Sequence, residues 1–259
     1  MLRRGIPRPA RRLRPAGRAL VTVVVLGSTL ALVAPAAPVV ADGCYTWRRT
    51  LGPGSRGSDV QRLQIRVSGY PGYGRRLAVD GAYGPGTRAA VARFQAAYGL
   101  VADGVAGPRT FAVIQRIQDD DCTPTGFSFT EMDDGCGGAG YDAGGTAAST
   151  AQANALVTMW KLQALRHALG DRPITVASGF RSVRCNRLAG GARFSRHIYG
   201  DAADLDAGPH GLCTLARQAR YHGFAGIYGP GYPGHSGHVH VDGAGISWRA
   251  PRCGFSQRS

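Results

Sequence analysis

Glutamate and lysine are nearly missing: across 259 residues each occurs once, as Glu131 and Lys161. One lysine leaves a single candidate for a lysine nucleophile or a phosphate-loop lysine, and no G-x-x-x-x-G-K pattern surrounds it. One glutamate severely limits mechanisms that need a glutamate base. The six cysteines include no Cys-x-x-Cys spacing, which argues against a cysteine-held zinc. The first 41 residues contain no acid, but they do contain seven arginines: Arg3, Arg4, Arg8, Arg11, Arg12, Arg14 and Arg18. Without that stretch the 31 basic residues drop by those seven to 24, against 16 acids, and the formal net charge falls from +15 to +8. About half of the basicity that would point to nucleic acid therefore belongs to a targeting segment. No nucleic-acid-binding motif remains in the rest.

Residues 20–41 carry no charge. The basic stretch before them and the small-residue end Val39-Val40-Ala41 predict a secretory signal peptide over 1–41, cleaved before Asp42. Pro35 and Pro38 interrupt the apolar run and no positive cluster follows it, so cleavage is expected rather than a membrane anchor. Arg11-Arg12 leaves the export route open. The mature chain of 218 residues is long enough for two small domains. All six cysteines lie in it, an even number that suits a secreted, disulfide-bonded protein. Sequential pairing is expected, Cys44–Cys122, Cys136–Cys185 and Cys213–Cys253, because each bridge then encloses a coherent unit. Each such loop is long enough to contribute about 3–4 kcal/mol in the chain-entropy model.

An internal repeat follows. Val60-x-x-Leu63-Gln64 recurs as Val91-x-x-Phe94-Gln95, and Asp80-Gly81-x-Tyr83-Gly84-Pro85-x-Thr87 as Asp103-Gly104-x-Ala106-Gly107-Pro108-x-Thr110. Each DGxxGPxT stretch reads as a turn running into a helix, with Gly at positive φ and Thr at the N-cap. Ala90, Val91, Phe94, Phe111 and Ile114 fall at helical spacing. The expectation for residues 42–118 is a small all-α bundle of repeated units. With Leu51-x-x-Gly54-Ser55-x-Gly57 before them and Gly99-Leu100-x-x-Asp103 between them, these motifs resemble a peptidoglycan-binding domain of the PG_binding_1 type over residues 49–117. The resemblance implies binding to cell-wall glycan or its stem peptides.

Asp119-Asp120-Asp121-Cys122-Thr123-Pro124 marks a boundary, and the Gly-rich stretch 133–149 has no apolar period, so 119–148 reads as linker and loop. A helix capped by Ser149 or Thr150 should run to Leu169 and stop at Gly170, burying Leu156, Met159, Trp160, Leu162, Leu165 and Leu169. Short strands are expected at 173–176, 202–206, 225–228 and 238–242, with a helix at 213–222. Mixed in this order, they predict an α+β domain over 149–259 with a small antiparallel sheet.

Six of the seven histidines lie between His197 and His240, and four belong to two short motifs. These are Ser195-Arg196-His197-Ile198-Tyr199-Gly200-Asp201-Ala202-Ala203-Asp204 and Gly234-His235-Ser236-Gly237-His238-Val239-His240-Val241-Asp242. On a strand His238 and His240 share a side. Two imidazoles and one carboxylate leave a fourth position for water, the pattern of a catalytic rather than a structural zinc site. His167, His210 and His222 stand outside the motifs and read as ordinary surface or core residues.

Ser195-x-His197-x-x-Gly200-x-Ala202-x-Asp204 with the later His-x-His-Val-Asp resembles the M15 peptidases. Residues 122–255 resemble in particular their secreted zinc D-alanyl-D-alanine carboxypeptidases, and Ser178-Gly179-Phe180-Arg181-Ser182 supplies that group's arginine motif. The resemblance implies one Zn2+ on His197, Asp204 and His240, with Arg181 binding substrate and developing charge, and His235 as acid/base. Many relatives place a glutamate base three residues before the last zinc histidine, where this chain has Gly237. A histidine can take that role. His235, on the turn Gly231-Tyr232-Pro233-Gly234, is favoured, and His238 is the rival. Ser195 is a candidate for substrate contact or for turn capping. Asp206 and Asp242 are candidates to orient a ligand histidine. The overall expectation is a monomeric, secreted, wall-associated DD-carboxypeptidase. The alternatives are a DD-endopeptidase that cuts cross-bridges and a non-catalytic wall-binding protein.

Overall fold

A computed structural model describes residues 44–133 and 140–258. The expected signal peptide and Cys136, with its bridge to Cys185, lie outside the described residues. The other two bridges, Cys44–Cys122 and Cys213–Cys253, are formed, each with Cα atoms 5.0 Å apart.

Residues 44–118 hold three helices, α1 (Ser58–Arg66), α2 (Pro85–Ala97) and α3 (Pro108–Arg116). The repeat has a hydrogen-bonding cause. The Gln64 amide nitrogen donates to Asp80 Oδ1, the Ala82 carbonyl and Thr87 Oγ1 at 2.9, 3.1 and 3.0 Å, and its oxygen accepts from the Asp80 and Gly81 amides. Gln95 repeats the pattern on Asp103, Val105, Thr110 and the Gly104 amide. Each buried glutamine thereby ties the end of one helix to the turn that opens the next. Gly81 and Gly104 have φ of 72° and 71°, as the turns require. The threonines are not N-caps. Gly84 and Gly107 occupy that position, and Pro85 and Pro108 start the helices. Thr87 and Thr110 lie two residues inside those prolines, buried, and accept from the glutamines.

The short helix α4 (Phe129–Met132) follows, capped by Ser128, whose hydroxyl accepts from the Glu131 amide at 3.1 Å. Next comes α5 (Ala148–Ala168). Its N-cap is Ala147, with no side-chain bond, so the expected Ser149 or Thr150 cap is not used. Leu156, Met159, Trp160, Leu162 and Leu165 are buried as their spacing predicts. Gly170 ends the helix at φ 78°. The remaining elements are β1 (Val176–Ser178), α6 (Val183–Leu188), a 3-10 turn (Arg196–Tyr199), β2 (Ala202–Leu205), α7 (Leu212–Ala219), β3 (Gly226–Tyr228), β4 (Val239–Asp242), β5 (Ser247–Ala250) and β6 (Phe255–Arg258).

These strands form one six-stranded sheet in the order β1-β2-β4-β3-β5-β6. It is mixed, and so differs from the expected antiparallel sheet, because β3 and β5 run parallel. β4 ends at Asp242 beside Gly226, the start of β3. The chain turns through residues 243–246 over that end of β3 and re-enters on its far side, antiparallel to β4 and therefore parallel to β3. The register sorts two rows onto opposite faces. Ala203, Val241, Ile227 and Trp248 are cross-strand partners, all buried, on the face covered by α5 and α7. Ser178, Asp204, His240, Tyr228 and Arg249 form the adjoining row on the other face.

The described residues fall in one compact unit. Its apolar core runs continuously from Trp47 and Phe94 in the helical part through Trp160 to Trp248 in the sheet. Residues between the two parts are packed as well: Cys122, Phe127 and Met132 are buried.

Gly200 fixes the entry into β2. It sits at φ 77° at the end of the 3-10 turn, and a Cβ there would lie 2.1 Å from the Ala151 carbonyl oxygen of α5. Gly200→Ala is expected to cost about 2–5 kcal/mol, from left-handed strain plus overpacking. Urea unfolding checks this, and an unchanged midpoint would refute the steric reading.

Candidate metal centre

Three neighbouring elements supply the site. Asp204 on β2 and His240 on β4 are direct cross-strand partners, so their side chains leave the sheet side by side. His197 comes from the 3-10 turn that feeds β2. One ligand atom from each of the three lies within 4.8 Å of the other two, and all three residues are buried. His240 Nδ1 is 2.9 Å from Asp204 Oδ1 and 3.1 Å from His197 Nε2, and His197 Nε2 is 3.3 Å from Asp204 Oδ1.

The outward atoms are held too. His197 Nδ1 lies 2.5 Å from the Gly179 carbonyl, which can only accept, so this nitrogen carries the proton and Nε2 presents its lone pair inward. His240 Nε2 lies 3.1 Å from Asp242 Oδ2, which orients that ring. Asp242 is thus the orienting carboxylate. Asp206 is exposed, one residue past the end of β2. Arg181 Nη2 donates to Asp204 Oδ2 at 2.6 Å, and Arg181 Nε to Ser178 Oγ at 2.8 Å. That leaves Asp204 Oδ1 for the imidazoles.

Ionisation follows from this packing. Burial favours the neutral carboxyl of Asp204, but the His240 bond and the nearby His197 ring outweigh it and hold the group far below the usual carboxylate range. Burial alone would also lower His240. Its bonds to Asp204 and Asp242 dominate and raise it to about 9. Burial wins at His197 and lowers it. At neutral pH His240 is therefore the imidazole of the metal-free site that carries an extra proton and a positive charge. A divalent ion must displace that proton, so affinity is expected to rise about tenfold per pH unit up to pH ~9 and to fall as the site is acidified. Calorimetric zinc titration in two buffers of different ionisation enthalpy reads the released proton directly. Zero release at pH 7 would contradict the assignment.

A cleft of about 650 Å³ opens over these residues. His235 and His238 line it, with Arg181, Ser195, Tyr228 and Tyr232. His235 Nδ1 donates to the Pro233 carbonyl at 2.8 Å, which leaves its Nε2 unprotonated when the ring is neutral. Its ring lies 5.6 Å from Tyr228, 5.3 Å from Tyr232 and 5.9 Å from His240. Burial lowers its pKa. His238 precedes β4 instead of lying on it, and its Nε2 is 3.6 Å from Asp204 Oδ1. Ser195 is the residue before the 3-10 turn; its hydroxyl makes no capping bond. Glu131 is absent from the cleft lining. Sequence reasoning missed Ser178 and the Arg196–Asp201 ion pair, whose Nε–Oδ1 distance is 2.8 Å. Ser178 was marked by its place in the Ser-Gly-Phe-Arg-Ser motif, but its register against Asp204 is visible only in the sheet.

The donor set fits zinc: two imidazole nitrogens and one carboxylate oxygen with their outward atoms hydrogen-bonded, beside a cleft open to substrate. A family model described as Peptidase M15 matches residues 131–242, and one described as a putative peptidoglycan binding domain matches residues 56–114. The zinc D-Ala-D-Ala carboxypeptidase of Streptomyces albus G is 57% identical over 255 residues, which covers 96% of this chain and 99% of that protein. Two solved structures are partly similar. One is a peptidoglycan-binding protein from Clostridioides difficile in complex with glutamine hydroxamate, 34% identical over 25% of this chain and 39% of its own, with a TM-score of 0.23. The other is a fused Zn-dependent amidase/peptidase/peptidoglycan-binding domain-containing protein from Clostridium acetobutylicum, 31% identical over 29% of this chain and 32% of its own, with a TM-score of 0.24.

Proposed function

The chain belongs to the M15 peptidases, and from that membership we propose that it is a zinc D-Ala-D-Ala carboxypeptidase that trims peptidoglycan stem peptides while its N-terminal domain, residues 42–118, holds it to the wall. The observation that carries this reading is the meeting of His197 Nε2, Asp204 Oδ1 and His240 Nδ1 at the floor of the cleft. Those three residues would hold the ion. Bound there, zinc supplies a Lewis acid for the scissile carbonyl and brings the pKa of water down to about 7.

The chain's own groups do the rest. The Gly179 carbonyl and the Asp242 carboxylate hold the two imidazoles in the tautomers that face inward. Arg181 keeps Asp204 in one orientation and places a guanidinium at the cleft, where it binds the substrate and the charge that develops on the carbonyl oxygen. His235 takes a proton from the attacking water at Nε2 and returns it to the leaving D-alanine amine. With Gly237 in the place of the glutamate base, a histidine fills that role, and the Nε2 left unprotonated by the Pro233 bond favours His235. Ser195, at the cleft edge, is a substrate contact. The domain of residues 149–259 carries the chemistry, and the wall-binding domain raises the local concentration of stem peptides even if its own affinity is weak.

Secretion after removal of residues 1–41, action as a monomer, and release from the membrane belong to the same proposal. Among the described residues no helix is long and apolar enough to cross a membrane. The test is incubation of the mature protein with a stem peptide ending in D-Ala-D-Ala, with and without a chelator, followed by mass analysis. Loss of one C-terminal alanine that stops with chelation is expected. Cleavage that survives full removal of zinc would sink the reading, and cutting confined to cross-linked dimers would turn it to an endopeptidase.

A further inference from the structure

The segment joining α1 to α2 leaves the helical domain and lies against the sheet domain. The Gly69 carbonyl lies 2.9 Å from His222 Nδ1, the Gly74 amide donates to the Arg220 carbonyl at 2.8 Å, and the Tyr73 ring lies 5.4 Å from Trp248. Arg76, within the stretch that matches a peptidoglycan binding domain, reaches further. Its Nη1 donates to the carbonyls of Gly243 and Ala244 at 2.9 and 2.8 Å. Those residues form the turn directly after β4. The Ala244 amide donates in turn to Asp242 Oδ1 at 2.7 Å, and Asp242 Oδ2 lies 3.1 Å from His240 Nε2. The Gly243 amide donates to the Asp201 carbonyl at 3.0 Å, which ties the same turn to the start of β2. Ala244 itself lines the cleft.

We propose that Arg76 of the wall-binding domain is a positioning residue for the metal centre: it clamps the 243–244 turn, which fixes the Asp242 carboxylate and through it the His240 imidazole. The helical domain is on this view a structural part of the catalytic unit as well as a tether. The geometry favours this over a merely adhesive contact because the bonds from Arg76 end on the carbonyls of Gly243 and Ala244, the two residues whose backbone N–H groups anchor β2 and orient Asp242. An imidazole whose orienting carboxylate is loosened binds metal less tightly, by about 10- to 100-fold when that carboxylate is removed outright. Arg76 acts one step further out, so the lower end of that range applies.

The inference rests on the zinc-site reading, and the test separates the two. Zinc affinity is measured by competition with a chromophoric chelator for the parent, for Arg76→Ala and for Tyr73→Ala, which loosens the same interface away from the turn. Amide exchange of residues 243–246 is followed in parallel on metal-free protein. Arg76→Ala is expected to weaken zinc binding about tenfold, to speed exchange in the turn and to lower kcat with KM unchanged. Tyr73→Ala is expected to leave zinc affinity at the parent value. Parent-like zinc affinity and exchange in Arg76→Ala would overturn the inference, and so would an equal loss of affinity in Tyr73→Ala. A parent that binds no zinc would overturn the metal-site reading instead, while the exchange comparison would still decide whether Arg76 holds the turn.

Discussion

His197→Ala is expected to end hydrolysis of D-Ala-D-Ala stem ends, with kcat/KM down by at least about 10⁴-fold, or ~5.5 kcal/mol of transition-state stabilisation. The substitution removes one of three inward donors and leaves only Asp204 and His240 on their paired strands. Two donors hold zinc poorly, and without it the attacking water keeps a pKa near 15.7 instead of about 7. The fold should survive. Asp204 keeps its bond from Arg181 and its partner His240, and the loss falls on the Gly179 carbonyl, a buried acceptor whose orphaning costs about 1–3 kcal/mol. The variant should therefore retain its circular dichroism spectrum and lose its zinc, read by elemental analysis. A folded, zinc-free protein that still released D-alanine would remove the metal from the mechanism.

Much of this site could be read from the chain because its chemistry is concentrated in two short motifs. Ser195 to Asp204 holds two of the three clustered residues, His197 and Asp204, on either side of a left-handed Gly200 in ten residues, and steric need accounts for the glycine: any side chain would strike the Ala151 carbonyl. The repeat was legible for a similar reason, since Gln64 and Gln95 each bond the turn that follows, and local hydrogen bonds leave local patterns. Thr87 and Thr110 were misplaced as caps because a threonine three residues after a Gly reads the same whether it accepts from its own helix or from a buried glutamine. The sheet was harder. β5 and β6 are four residues each, Ser-Trp-Arg-Ala and Phe-Ser-Gln-Arg, too short and too polar to show a period, with Pro251 between them. The parallel pairing of β3 with β5 depends on a turn crossing over a strand end, which no local signal encodes. The contacts of the α1–α2 segment with the sheet domain were likewise invisible. Nothing in the sequence around Arg76 points to a turn that lies 167 residues away.

His235→Ala should separate the two histidines that sequence reasoning could not. Both line the cleft, with ring centroids 4.9 Å apart, but their surroundings differ. His235 spends its Nδ1 proton on the Pro233 carbonyl, so its neutral ring offers Nε2 as a base, and Tyr228 and Tyr232 lie against it. His238 points Nε2 toward Asp204 Oδ1 at 3.6 Å, a position suited to supporting the ligand carboxylate. Loss of the general acid/base is expected to lower kcat about 10²–10⁴-fold with zinc content intact. His238→Ala should lower it by less than about tenfold and act mainly through zinc affinity. The pH profile supplies the sign. A base must be unprotonated, and burial sets the His235 pKa below the ordinary 6.5, so kcat/KM in the parent should rise with pH through a midpoint below that value and be lost on the acid side. In His235→Ala that acid limb should flatten while the small residual rate stays zinc-dependent. The reverse pattern, with the large kcat loss and the flattened limb in His238→Ala, would move the proton shuttle to His238 and leave His235 as part of the aromatic wall.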